Sequence, residues 1–333
     1  MALNLQPSAP PVSTSQHPID SPFGAASTAS EVMAGIDLAD QCAIVTGGYS
    51  GIGLVTARHL AQAGARVIVP ARDTARARGA LADMPAIEVA PMDLMSPDSI
   101  AAFSRQIVDR GEPVHLLINS AGIMATPLTR DAGGHEAQFA TNHLGHYRLT
   151  CGLWPMLCAA GGARVVAVSS RGHQIAGIDF TDIDFQHRAY DKWVAYGQSK
   201  TANALFALAL DARGHHRDVR AFSLHPGQIL TDLGRHLSAE EIGAFDASDE
   251  HGQPRIDPAK GMKTLEQGAA TSLWAATSPL LAHLGGVYCE DCNVAPIHRD
   301  DLGRKGVAAW AADRHLAEQL WEVSRTQTGL DVV

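Results

Sequence analysis

From Gln41 onward the chain alternates two hydrophobic rhythms. Short, continuous apolar runs rich in β-branched residues occur at CAIVT (42–46), RVIVP (66–70), IEVA (87–90), VHLLIN (114–119), RVVAVS (164–169), VRAFSL (219–224) and GVYC (286–289). Longer, Ala-rich amphipathic stretches lie between them, near 52–63, 74–83, 97–110, 134–159, 191–213, 264–277 and 311–325. Apolar runs without polar alternation are what a parallel sheet covered on both faces requires. Strand–helix alternation predicts right-handed crossovers, hence one α/β domain over 39–333: a doubly wound parallel sheet of about seven strands with helices on both faces.

Two regions break the rhythm. Residues 1–38 precede the first strand, and within them 1–24 are rich in Pro, Ser and Ala, the composition of a mobile or extended arm. STASEVMAG (27–35) predicts a short helix, because Thr28 and Glu31 have capping-box spacing. The stretch 232–262 is crowded with acids and turn formers and follows the sixth strand. Ligands bind at the carboxyl ends of such strands, so it reads as a substrate lid, with a plain surface loop as the alternative.

Composition narrows the class. With 18% charged and 46% hydrophobic residues in 333, there is ample material for a core. A net charge of −9 argues against nucleic acid. No apolar run approaches a membrane span, and the first residues lack the charged and apolar regions of a secretory signal. Five cysteines fit a reduced, cytoplasmic protein. Cys289 and Cys292 lack a second such pair and read as loop structure, with metal or redox use the lesser alternative; no metal site is expected.

TGGYSGIG (46–53) follows the first strand and opens the first helix. Gly47, Gly51 and Gly53 allow a tight turn and present free helix N–H groups to a phosphate, as a dinucleotide site would. A purely structural turn is the alternative. The second strand ends RVIVPARD, with Arg72 roughly 20 residues past the last glycine, where an acid would hold the ribose of NAD. An arginine there pairs with the 2′-phosphate of NADP. NADP(H) is therefore favoured over NAD(H), although Asp73 stands one residue later.

AYGQSK (195–200) puts Tyr196 and Lys200 four positions apart, on one helix face. A phenol with a pKa near ~10 is a poor base at neutral pH, and a neighbouring ammonium lowers that value. Such a pair can pass a proton to a carbonyl oxygen or take one from an alcohol. A surface tyrosine and lysine is the bland alternative.

With these pieces stand Asp93 in PMDL, NSAG (119–122), Asn142 in TNHLGH, Ser170 in VAVSS and HPGQILT (225–231). In order and spacing, over about 40 to 295, the chain resembles the short-chain dehydrogenase/reductase family, whose fold is of the Rossmann type. TNHLGH, KTLEQGAATS, YCEDCNVA and the gap between Ser170 and Tyr196 resemble its retinol dehydrogenase-like branch.

The resemblance implies a catalytic set of Asn142, Ser170, Tyr196 and Lys200. Tyr196 is the acid/base, Lys200 lowers its pKa and holds the nicotinamide ribose, Ser170 binds the substrate oxygen, and Asn142 holds a water in a proton relay. For the cofactor it implies Gly47, Tyr49, Ser50, Gly51, Ile52, Gly53 and Arg72 on the adenosine phosphate side, and Asp93 and Leu94 at the adenine. Asn119, Ala121 and Gly122 line the fourth strand's end, and Pro226, Gly227, Ile229 and Thr231 hold the nicotinamide. Ser120 departs from the commoner asparagine, which bears on turn bonding rather than chemistry.

Other features have plainer readings. His143 and His146 are read as packing and most of the 16 histidines as solvated. His173 and Trp193 are candidate substrate contacts, while Phe185 and Tyr190 line a pocket or pack in the core. The expected activity is interconversion of a ketone or aldehyde, apolar or aromatic, with its alcohol, using NADP(H). An NAD(H)-dependent alcohol dehydrogenase, an epimerase or dehydratase on the same fold, and a non-catalytic dinucleotide-binding protein are the alternatives. A homodimer or homotetramer through the helices bearing Asn142 and Tyr196 is implied, and the Ala-rich face of 201–212 suits such packing.

Overall fold

The computed structural model describes residues 16–244 and 254–332. Eight strands form one sheet in the order β3-β2-β1-β4-β5-β6-β7-β8. They are β1 (Cys42–Val45), β2 (Arg66–Ala71), β3 (Ile87–Pro91), β4 (Leu116–Asn119), β5 (Ala163–Val168), β6 (Val219–His225), β7 (Val287–Glu290) and β8 (Asn293–Val294). The first seven are parallel, and β8 folds back antiparallel on β7. Two residues are too few to carry a hydrophobic rhythm, so β8 has no signature of its own.

The helices are α1 (Ala29–Met33), α2 (Gly51–Gln62), α3 (Thr74–Ala80), α4 (Pro97–Asp109), α5 (Ala137–Phe139), α6 (Gly145–Ala159), α7 (Lys192–Gly214), α8 (Ala239–Ala244), α9 (Leu265–Thr277) and α10 (Arg314–Thr328). Strand side chains alternate between two cores. Cys42 and Ile44 pack with α4, α6, α7 and α10, whereas Ala43 and Val45 pack with α1, α2 and α9. The helix expected over 134–159 comes in three pieces, because one π-helical turn at Ala140–Leu144 separates α5 from α6. That turn carries Asn142. Strand order reverses between β1 and β4, which opens a crevice at their carboxyl ends.

The first and last described segments are tied to this frame. Thr28 and Glu31 form the capping box that opens α1. Ahead of it, the Gln16 amide donates to the carbonyls of Tyr288 and Ala295 at 2.8 and 2.6 Å and accepts the Tyr288 N–H at 3.0 Å. The arm from residue 16 therefore docks on β7 and β8; the rest of the expected arm lies outside the described residues. At the other end α10 covers α7. Trp321 stacks on Phe206 at 6.0 Å and meets Tyr147 edge-on at 4.9 Å. On α7, Ala202, Leu205, Phe206 and Ala209 are all buried within the chain. Part of the Ala-rich α7 is thus covered by α10.

Of the stretch expected to be a lid, 245–253 lies outside the described residues. Its described start includes α8, where the Glu241 carboxylate accepts from Lys192 Nζ at 2.6 Å and from the Trp193 indole at 3.2 Å. This fastens it to the first turn of α7. Among the described residues, no helix is long and apolar enough to cross a membrane.

Candidate active site

The crevice at the β1/β4 switch point is a cavity of about 340 Å³. Its floor is the glycine turn. Gly47 sits at φ +68°, and a Cβ on Gly53 would stand 2.4 Å from the Gly47 carbonyl oxygen, so only glycine lets the turn close. Tyr49, Ser50, Gly51 and Ile52 line it as α2 begins, where the first N–H groups have no helical acceptor. Asp93, Leu94, Ala121 and Gly122 form one wall, and Pro226, Gly227, Ile229 and Thr231 the other. This cradle, with its free N–H groups, fits a dinucleotide.

Arg72 lines the crevice at the end of β2, and Arg76 lines it one helical turn on. Asp73 is otherwise engaged: it is the N-cap of α3, accepting the Arg76 N–H at 3.0 Å. Arg76 Nη2 reaches across to Asp232 at 2.7 Å. Arg76 was not singled out from sequence, because Arg72 precedes the α3 N-cap and no helical spacing links the two.

Two expected residues do not line the crevice. Asn119 is buried in the sheet at the end of β4, and neither polar atom of its side chain has a partner among the described residues. Asn142 is also buried, and its amide braces the Ile123 backbone: Nδ2 donates to the carbonyl at 3.0 Å and Oδ1 accepts the N–H at 2.9 Å. Nδ2 also reaches Ser199 Oγ at 2.9 Å. The Asn142 carbonyl accepts the Nδ1–H of His146 at 2.9 Å, so Nε2 of that ring accepts from the Thr46 hydroxyl at 2.9 Å. His143 and His146 are packed and buried, as expected.

A second cavity of about 590 Å³ adjoins the first. Ser170, Tyr196, Gly227, Ile229 and Thr231 line both. Its walls carry Met124, Ile175, Trp193, Leu230, Leu233 and Leu237, with Arg171, Gln174, Gln228, Asp232, Arg235 and Arg304 among them. Trp193 is where the sequence placed it. Phe185 and Tyr190 instead pack on each other at 5.1 Å, and the Tyr190 hydroxyl donates to the Thr126 carbonyl at 2.9 Å.

His173 is a correction. It lies three residues from Ser170 but lines neither cavity and is 1% exposed. The 3₁₀ turn Arg171–Gln174 folds it behind Ser170, between the chain and Tyr288. Of the two adjacent serines, Ser169 Oγ donates to the Lys200 carbonyl at 2.7 Å, while Ser170 lines both cavities.

Tyr196 and Lys200 both project from α7 into the crevice. Burial pushes the phenol up to about 12, offset in part by a hydrogen bond with Ser170. Burial brings the Lys200 ammonium down to about 8. The Lys200 Nζ donates to the Val168 carbonyl at 3.0 Å.

A short-chain dehydrogenase family model matches residues 41–242. A Streptomyces antibioticus protein named "Probable oxidoreductase" is 43% identical over 86% of this chain and 97% of its own length. Human retinol dehydrogenase 12 is 33% identical over 89% of this chain and 88% of its own. A crystal structure of an uncharacterized protein from Mycobacterium Paratuberculosis superposes with a TM-score of 0.68 at 32% identity, covering 90% of this chain and 98% of that one. The fold and crevice define a nucleotide-dependent oxidoreductase class. The chain belongs to the short-chain dehydrogenase/reductase family, in its retinol dehydrogenase-like branch, whose members act on CH–OH and C=O groups with NAD(P).

Proposed function

We propose that this chain is an NADP(H)-dependent reductase of apolar or aromatic ketones and aldehydes, with Tyr196 as the proton donor. One observation carries the reading: Ser170 and Tyr196 stand where the dinucleotide crevice meets the second cavity. A carbonyl oxygen at that junction meets both hydroxyls at once.

The nicotinamide, when bound, supplies the hydride. The chain's residues handle the proton and the charge. The buried phenol stays protonated at neutral pH, which suits it to give its proton to a carbonyl oxygen. Ser170 donates a second hydrogen bond to that oxygen as it gains charge. Lys200, buried beside the ring, stabilises the phenolate that remains, and Asn142 fixes the backbone next to it. Met124, Ile175, Trp193 and Leu237 exclude water from the reacting end.

NADP(H) is favoured because Arg72 and Arg76 both line the crevice while Asp73 is committed to capping α3. We read the protein as monomeric through the α7 face, since α10 occupies it, and as cytoplasmic, with its five cysteines unpaired. The test is a spectrophotometric screen of carbonyls and alcohols with both cofactors, on wild type and Tyr196→Phe. Wild-type oxidation of NADPH that disappears in Tyr196→Phe supports the reading; equal rates in the two overturn it.

A further inference from the structure

We infer that His173 and Tyr288 are positioning residues that clamp the turn 170–173 and so hold the Ser170 hydroxyl against Tyr196. The inference rests on the oxidoreductase reading above.

The clamp closes on one atom. The carbonyl oxygen of Ser170 accepts from His173 Nδ1 at 2.6 Å, from the His173 backbone N–H at 3.1 Å and from the Tyr288 hydroxyl at 3.3 Å. The surroundings fix the imidazole tautomer. Nε2 receives the Ala308 N–H at 3.0 Å, so it must be the acceptor and Nδ1 must carry the proton. The His173 carbonyl in turn accepts from the Trp310 indole at 3.1 Å and lies 3.1 Å from the Thr201 hydroxyl, which it shares with the Ala176 carbonyl at 2.7 Å. One turn is thereby pinned to β7, to the segment 308–310 and to α7.

The pinned turn touches both reacting hydroxyl residues. Ser170 Oγ accepts the Gly172 N–H at 3.0 Å. Gly172 abuts the phenol, and a Cβ there would stand 2.6 Å from Tyr196 Cε1. A shift of the turn therefore moves the serine hydroxyl and the wall behind the phenol together. Misplacement by about 1 Å can cost on the order of 10²-fold in rate.

Charge is not the route. Burial holds the His173 imidazole at about 4, so it is neutral at working pH. The titratable and charged groups around the clamp are His298, Arg171 in the turn, Lys200 on α7 and Glu290 on β7, with neutral His225 on β6, and replacing His173 by leucine changes the charge of none of them. Any change at Tyr196 then reports displacement of Ser170.

The test uses full-length protein with bound NADP⁺ and ¹³Cζ-labelled tyrosine. The Tyr196 resonance is assigned by its loss in Tyr196→Phe, and Ser170→Ala marks its position without the serine hydrogen bond. His173→Leu is expected to move the resonance toward the Ser170→Ala position and to lower kcat at least tenfold, with the Kd for NADPH within twofold. His173→Asn, which keeps a donor near Nδ1, is expected to recover kcat to within about threefold of wild type. Tyr288→Phe removes one donor and keeps the ring, so it moves the resonance the same way by less, and it carries the test alone should His173→Leu not fold. A resonance at the wild-type position in the folded variants overturns the clamp, as does a kcat loss that His173→Asn fails to recover. The spectrum needs no substrate. A wild type that reduces no carbonyl would refute the oxidoreductase reading while the clamp was still read from the resonance.

Discussion

Lys200 Nζ donates to the carbonyl oxygen of Val168 at 3.0 Å and stands 5.8 Å from the centre of the Tyr196 ring. The ammonium is held by the strand, close enough to stabilise a phenolate but not bonded to the phenol. Burial leaves the two groups at about 8 and about 12 respectively. In reduction, Tyr196 must begin protonated and Lys200 charged. The value of kcat/KM for carbonyl reduction is therefore expected to be level near neutral pH and to fall as pH rises through about 8, as Lys200 loses its charge. Lys200→Met is expected to lose roughly 10²–10⁴-fold in kcat. Steady-state rates across pH check both, and a rate rising through that range would contradict the assignment.

Arg72 and Arg76 both line the crevice, and under the proposed NADP(H) preference they read the 2′-phosphate together. Removing either should weaken NADP(H) by about tenfold or more, the scale of one charge-assisted hydrogen bond, and leave NAD(H), which lacks that phosphate, nearly untouched. Asp232→Asn frees Arg76 from its 2.7 Å ion pair and is expected to tighten NADP(H) slightly, because both ends of the pair are well exposed. Fluorescence titration with NADPH and NADH measures all three variants. Equal losses for the two cofactors would remove the arginines from this role.

Trp321 closes the α7 face. It stacks on Phe206 and is 1% exposed. Sedimentation equilibrium is expected to give the monomer mass of 35.2 kDa. Trp321→Ala should cost about 3–5 kcal/mol in unfolding free energy, the usual range for a large aromatic removed from a core. It should also make self-association concentration-dependent, since an apolar face is opened. A wild-type dimer that Trp321→Ala leaves intact would place the interface elsewhere.

These outcomes depend on features that the sequence carries unequally. The seven parallel strands and the glycine turn were legible because period and punctuation are local. Thr28 with Glu31 was legible for the same reason. The π-helical turn at Asn142 was not, since the apolar pattern runs through it unbroken. Nor was the cover of α7 by Trp321, a contact with Phe206 from a distant part of the chain. His173 misled because nearness to Ser170 along the chain does not tell which way a turn folds the ring. The burial that raises the Tyr196 phenol was not legible either, since spacing shows the neighbouring ammonium but not the depth of the site.

Buried histidines give the last expectation its sign. His143, His146 and His173 are held by burial at about 3, 4 and 4, and His115 and His225 are also lowered. An unfolded chain takes up protons at these rings near the ordinary value of ~6.5, while the folded chain refuses them. Between those values the unfolded state binds more protons, so stability rises with pH there and falls on acidification. The full contribution is present above ~6.5 and is lost progressively as pH drops toward about 4. His146 is the informative site, since its ring must be neutral to accept from Thr46 while donating to the Asn142 carbonyl. Urea midpoints measured from neutral to acid pH are expected to fall through this window. His146→Gln should flatten the slope by up to one proton, at the cost of weaker cofactor binding, because the Thr46 oxygen also accepts the Ser120 and Ala121 N–H groups at 2.9 and 3.0 Å. A midpoint unchanged down to about 4 would mean that these rings are protonated in the folded protein.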